Sequence, residues 1–295
     1  MRIFKRKLYD KLLDWKNNRK GKTAVMIEGA RRVGKSTLAK QFAENEYDSY
    51  VLIDFSIAPK EITELFDYIS DLEYFFMQLQ FRLGVSLIEH KSLIIFDEVQ
   101  ICPKARQAIK HLVADGRYDY IETGSLISIR KNVKDIVIPS EEEKMALNPM
   151  DYEEFKWALD DTTTIPQLRM LFDKKMSIGD AVTRKLMRDF RIYMVVGGMP
   201  QAVSEYLDSH NLQEVDRAKR GIIQLYEDDF YKIDPSGRIS SLFDAIPAQL
   251  NSNASRYQIT SAIGDNADSE KVFQLISELR ESHTINMAYH ANDPG

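Results

Sequence analysis

The 295-residue chain holds a single cysteine, Cys102, so no disulfide can close within it. One thiol in a chain this long fits a reducing compartment, and the expected location is the cytoplasm. Cys102 itself reads as a small buried hydrophobe. No apolar run approaches the roughly 20 residues a membrane span needs. The N-terminus is basic but lacks the apolar segment of a secretion signal. Neither charge dominates, with 40 Lys/Arg against 45 Asp/Glu and a net charge of −5. A globally basic nucleic-acid binder is therefore not indicated. A hydrophobic content of 44% and a charged content of 29% describe an ordinary globular chain. The length calls for two or three domains.

The stretch Val25-Met26-Ile27-Glu28-Gly29-Ala30-Arg31-Arg32-Val33-Gly34-Lys35-Ser36-Thr37 is the most informative one present. Its apolar start reads as a buried strand, and Leu38, Ala39, Phe42 and Ala43 then recur at helical spacing. Gly29-x-x-x-x-Gly34-Lys35-Ser36 between them is a P-loop signature, and the flanking elements argue against a chance glycine turn. The loop amides from Gly29 to Thr37 should face phosphate oxygens at a helix N-terminus. Lys35 should reach the β- and γ-phosphates, and the Ser36 hydroxyl should ligate Mg²⁺. No Asn-Lys-x-Asp run occurs, so a guanine nucleotide is not expected.

Ser92-Leu93-Ile94-Ile95-Phe96 suits a central parallel strand buried on both faces, and it ends in Asp97-Glu98. In a P-loop ATPase Asp97 would hold Mg²⁺ through its water shell, and Glu98 would act as general base on the attacking water. Gln100 stands close enough in sequence to orient water or a neighbour. Tyr118 to Glu122 reads as another strand ending in a Thr123-Gly124-Ser125 turn, where either Thr123 or Ser125 could sense the γ-phosphate. Arg130 falls where ring ATPases carry an arginine finger, but a surface arginine is the commoner explanation. Glu141-Glu142-Glu143 reads as a solvated run, with an edge strand over Lys144–Leu147.

Around this core, Phe4, Leu8, Leu12 and Trp15 make an amphipathic first helix. Residues 1–40 carry thirteen Lys/Arg against three Asp/Glu, which is read as a solvated helix face. Further strands are expected near 23–28 and over Tyr50–Phe55, and helices over 60–90 and from Pro103. Asn148-Pro149 marks a boundary, which gives an ATPase core over 1–149. A helical lid over 150–234 is interrupted at Gly197-Gly198-Met199-Pro200. Asp234-Pro235-Ser236-Gly237 then leads into two helices and an alternating Ile285, Met287, Tyr289 strand, a partial winged-helix module over 235–295. Because Asn292-Asp293-Pro294-Gly295 is a turn with no strand after it, the module is expected to continue beyond Gly295. Residues 251–295 carry three Lys/Arg against six Asp/Glu, so the module is expected to face protein and not DNA.

These motifs, with Pro149-Met150-Asp151-Tyr152-Glu153-Glu154-Phe155 and Gly197–Gln201, resemble a prokaryotic AAA-superfamily ATPase family. That family pairs a P-loop core with a C-terminal nuclease-like domain of unknown function, which this sequence lacks. The resemblance implies an α/β three-layer P-loop fold with an ASCE-type sheet. It implies Glu98 and Lys35 as catalytic residues, with ATP and Mg²⁺ as ligands. It also places Gly198 and Pro200 near the nucleotide, in place of a lid arginine. The expected activity is ATP hydrolysis driving a conformational switch. The alternatives are a slow nucleotide-gated adaptor for a protein partner and a DNA-associated ATPase. An oligomer is compatible with this reading.

Overall fold

Strand alternation divides the interior into two layers. Val25 and Ile27 of β1 (Ala24–Gly29) point to one face of the sheet, while Ala24 and Met26 point to the other. In β3 (Ser92–Asp97) Leu93 and Ile95 share the first face and Ile94 and Phe96 the second. A strand buried on both faces is what a continuous apolar run predicts. The computed structural model describes residues 2–19, 21–125, 140–252, 256–264 and 269–288.

With β2 (Ser49–Asp54), β4 (Asp119–Ser125) and β5 (Glu142–Ala146), these strands form a parallel sheet in the order β2-β3-β4-β1-β5. β4 thus lies between the P-loop strand and the Asp97 strand, as the ASCE expectation requires. β5 is the expected edge strand. β4 runs on through Thr123 and Gly124 to Ser125, pairing Ile27 with Thr123 and Gly29 with Ser125. The turn expected at 123–125 is therefore strand, because β1 extends far enough to pair it.

The first face is covered by α1 (Lys7–Arg19) and α2 (Lys35–Glu46). The α1 face of Leu8, Leu12 and Trp15 is fully used, and the Trp15 indole N–H donates to the Thr23 carbonyl and hydroxyl. The second face is covered by α3 (Lys60–Thr63), a 3₁₀ turn at Glu64–Tyr68, α4 (Leu72–Leu83) and α5 (Pro103–Asp115). The aromatic stripe expected to be packing is packing: Phe66 meets Phe75 and Phe96 edge-on at 5.3 and 5.5 Å. Cys102 is buried in this layer.

Glu142 corrects the reading of Glu141–Glu143 as solvated. Its side chain is 1% exposed and takes a forked contact from Arg106 of α5, also 1% exposed. Glu122 is wholly buried beside them. Strand pairing of β5 with β1 carries Glu142 inward opposite Ala24, which run composition alone does not reveal.

Beyond β5 the described chain is helical: α6 (Tyr152–Ala158), α7 (Thr164–Asp173), α8 (Asp180–Val196), α9 (Pro200–Ser209) and α10 (Leu212–Ile233). Asp151 and Glu154 form a reciprocal capping box that starts α6. Met150, Phe155, Val196, Ala202, Val203 and Val215 make a third apolar cluster. α7 buries nothing and α8 only Val196, leaving Met170, Phe172, Met187 and Met194 exposed. After a turn in which Asp234 accepts from Ser236, the chain continues as α11 (Arg238–Asn251), α12 (Ile259–Ile263) and α13 (Ser269–Glu281). Ile222, Tyr226 and Phe230 of α10, with Ile239 and Leu242 of α11, join the α1–α2 layer.

The strand expected over Ile285, Met287 and Tyr289 does not form over residues 284–288, and Tyr289 lies outside the described residues. Ile285 instead packs against the first core layer, so its apolar character serves the core and not a ladder. A wing is not seen among the described residues.

Candidate functional site

The P-loop needs its two glycines for different reasons. Gly34 sits at φ 97° and ψ 27°, directly before α2, where a side chain would be strained. Arg32 also has positive φ, at 68°, so successive amides turn inward as a nest. Gly29 is required by space: a Cβ there would lie 2.2 Å from the Leu147 carbonyl oxygen. The chain leaving β5 crosses directly over the loop, and Leu147 N–H donates to the Glu28 carbonyl at 2.7 Å.

Lys35 opens α2 with its side chain buried at 5% exposure, its Nζ donating to the Gly29 and Ala30 carbonyls at 3.1 and 3.0 Å. Burial pushes its ammonium down from the usual lysine range, while the nearby Glu98 and Asp97 carboxylates oppose that shift. The next residue, Ser36, donates its hydroxyl to Asp97 Oδ1 at 2.7 Å. Thr123 donates to the same oxygen from β4. Two hydroxyls from separate elements thus converge on one carboxylate oxygen at the end of β3. An oxygen donor set of this kind suits a hard cation such as Mg²⁺.

Glu98 follows Asp97 in the left-handed region, at φ 53° and ψ 45°. A non-glycine residue there is uncommon and costs energy. The conformation lets two adjacent carboxylates serve one site instead of pointing to opposite faces. Gln100, 3% exposed, donates its amide to Glu98 Oε2 and holds the carboxylate in place. Ser125 is buried beside Gly29 in the ladder. Of the two sensor candidates, Thr123 is the one bonded to Asp97. Arg130 lies outside the described residues.

Pro200 is brought to the loop from the helical side, whereas Gly198 is placed against the chain leaving β5. Pro200 starts α9, and its Cγ lies 3.8 Å from where a Gly34 Cβ would stand. Gly198 meets the backbone of Met150, whose N–H donates to its carbonyl at 2.7 Å. A Cβ on Gly198 would fall 2.0 Å from the Met150 oxygen. Beside Pro200 a shallow cleft is lined by Phe4, Arg6, Gly34, Thr37 and Gln41, among others.

Arg6 escaped the sequence reading. It is 5% exposed and donates to the Val33 carbonyl at 2.9 Å and to the Asn148 carbonyl, with Glu154 at 3.3 Å. One guanidinium thereby joins the N-terminal segment, the P-loop, the chain leaving β5 and α6. The Arg31–Asp229 pair likewise has no signature in the sequence: Arg31 Nη1 donates to both Asp229 oxygens at 3.1 Å.

Residues 21–156, which carry all of this loop and both acidic residues, match the family model described as AAA domain. Over this segment the chain resembles an AAA domain. Residues 187–294 match a domain of unknown function, DUF8612; no nuclease-like domain appears among the matches. No curated protein matches the sequence at a significant level. The Walker-type ATPase paby2304 of Pyrococcus abyssi is similar in fold, with a TM-score of 0.59 at 17% identity, over 95% of this chain and 90% of that one. AMPPCP-bound DnaA of Aquifex aeolicus aligns over 95% of this chain and 89% of its own, at 12% identity and a TM-score of 0.38. The Drosophila ORC bound to DNA aligns over 96% and 82%, at 14% and 0.40. These last two likenesses are too remote to carry an argument. The likeness to the Pyrococcus abyssi protein and the match over residues 21–156 agree on a P-loop ATPase fold, within which the residues above are arranged. No described helix is long and apolar enough to cross a membrane.

Proposed function

We propose that the chain binds ATP with Mg²⁺ and hydrolyses it to drive a conformational switch. The observation that carries this reading is the meeting of Ser36 and Thr123 on Asp97, with Lys35 and Glu98 alongside. In this reading Lys35 and the amides from Gly29 to Thr37 hold the phosphates. Ser36 and Asp97 hold Mg²⁺, which neutralises charge on the β- and γ-oxygens when bound. Glu98, steadied by Gln100, takes the proton of the attacking water, and Thr123 or Ser125 reports on the γ-phosphate. Phe4, Gln41 and Pro200 enclose the base, and Gly198 keeps the lid hinge closed against Met150. Residues 1–149 act as core, 150–234 as lid and 235–295 as a protein-facing module.

The test is Glu98→Gln. It should retain ATP–Mg²⁺ binding while turnover drops by about 10²-fold or more, the usual scale for loss of a general base. Hydrolysis at the wild-type rate would remove Glu98 from this role.

A slower nucleotide-gated switch that holds a protein partner is the second reading. It is favoured by α7 and α8, whose Met170, Phe172, Met187 and Met194 remain uncovered. Turnover far below about one per second under saturating ATP, slow against typical enzymes, would select it.

A further inference from the structure

Arg31 is the third residue of the phosphate loop, yet its side chain reaches α10. Its Nη1 is 3.1 Å from each Asp229 carboxylate oxygen. One helical turn earlier, the Tyr226 hydroxyl donates to the Arg31 carbonyl at 2.9 Å. A single loop residue therefore makes two polar ties to α10. Its guanidinium also acts on the Lys35 ammonium electrostatically, so the two cations share one mouth.

The two ties differ in kind. The tyrosine bond is to backbone and leaves the Arg31 side chain uncommitted. The ion pair is half open, with the Arg31 side chain 37% exposed and Asp229 at 5%. Asp229 also has a second cation, because Lys232 Nζ lies 2.9 Å from Oδ1. If Arg31 left, Asp229 would not become a buried charge without a counterion, which is the costly case. A nucleoside triphosphate brings several negative charges to the loop, against one on Asp229.

We propose that Arg31 exchanges Asp229 for the terminal phosphate of the bound nucleotide, so that triphosphate, and not diphosphate, loosens α10 from the P-loop. This rests on the ATP reading above. Because Phe230 of α10 packs against Phe243 of α11, ring centres 5.3 Å apart and planes inclined by 60°, the loosening passes to the C-terminal helices. The loop residue then serves both as a phosphate ligand and as the release for the helix behind it.

The experiment is calorimetric titration of the full chain with AMPPNP–Mg²⁺ and with ADP–Mg²⁺. It compares wild type, Asp229→Asn, Arg31→Gln and the double variant. Asp229→Asn should tighten AMPPNP about three- to tenfold and leave ADP within about twofold, the scale expected when a half-exposed ion pair is released. Arg31→Gln should weaken AMPPNP by a similar factor and spare ADP. In the double variant Asp229→Asn should add nothing, since its effect acts through Arg31. Hydrogen exchange over residues 222–233 should rise with AMPPNP in wild type and start high in Asp229→Asn. Equal effects on both nucleotides, or unchanged AMPPNP affinity in Arg31→Gln, would show the ion pair to be structural only and end the proposal. Should Asp229→Asn fail to fold, Arg31→Gln decides alone. If wild type binds neither nucleotide, the ATP reading falls and takes this proposal with it.

Discussion

Two glycine-to-alanine changes should move stability in opposite directions, for reasons visible in the backbone. Gly198 has no positive φ, so alanine is not strained there by conformation. The conflict is spatial: the new Cβ would lie 2.0 Å from the Met150 oxygen and 2.9 Å from its carbon and nitrogen. These are backbone atoms and cannot rotate aside. Relief requires the two segments to part, which breaks the Met150–Gly198 bond of 2.7 Å and disturbs the Tyr193 hydroxyl bond to Met150 at 2.9 Å. Two buried hydrogen bonds, with at least one group left unsatisfied, come to about 2–4 kcal/mol. At about 2–4 °C per kcal/mol for a chain of this size, the melting point should drop by roughly 5–15 °C. Gly221 is the control. It lies within α10, with nothing within 4 Å of its Cβ position. Gly221→Ala should therefore gain up to about 1 kcal/mol from helix propensity. Thermal unfolding followed by circular dichroism reads both. A Gly198→Ala protein that melts with wild type would refute the close-approach reasoning, since the distance leaves no room for accommodation by side chains.

Two further outcomes follow from buried charges. Burial, reinforced by the neighbouring Glu142, pushes the Glu122 carboxyl well above its ordinary 4.5, with Arg106 opposing. The folded chain then keeps a proton that the unfolded chain releases, so stability present below about pH 4.5 is lost as pH rises. Glu122→Gln should remove this dependence, and its melting point relative to wild type should climb between pH 5 and pH 9; a gap that does not change with pH would contradict the shift. Arg6→Met should cost about 3–5 kcal/mol in urea unfolding, because it leaves the Glu154 carboxylate, 6% exposed, without its cation; a loss under about 1 kcal/mol would deny Arg6 its clamping role.

What could be read from sequence depended on the range of the interaction. The strands were legible because Val25–Ile27 and Leu93–Phe96 are continuous apolar runs, each inside one segment. The convergence of Ser36 and Asp97 was legible because motif order implies a known sheet order, although 61 positions separate them. Arg6 was not, since it stands among Arg2, Lys5 and Lys7 and only the fold distinguishes the buried one. Asp229 was hidden in Glu227-Asp228-Asp229 for the same reason, and Glu142 in Glu141–Glu143. Ile285 and Met287 alternate as a strand does, but alternation cannot supply a pairing partner. Glycine spacing was visible at once, whereas the reason for Gly29 and Gly198, close approach of Leu147 and Met150, lay in distant backbone.

The Asn148-Pro149 junction, read from sequence as a break between core and lid, is tied down on every side. Leu147 N–H is bonded to Glu28, the Asn148 carbonyl accepts from Arg6, and Met150 N–H is bonded to Gly198. Backbone groups that are satisfied and buried are expensive to uncover. A swing of the helical part about residues 147–150 would break three such bonds together. The Arg31–Asp229 contact is different, because it is made by side chains, is partly open to solvent and has Lys232 in reserve. If nucleotide binding moves the C-terminal helices, the least costly place for the motion to begin is therefore at α10 over the P-loop, with the 147–150 strap as the fixed point. Cross-linking residues at the strap should leave nucleotide-dependent exchange in α10 intact, whereas cross-linking α10 to the loop should abolish it.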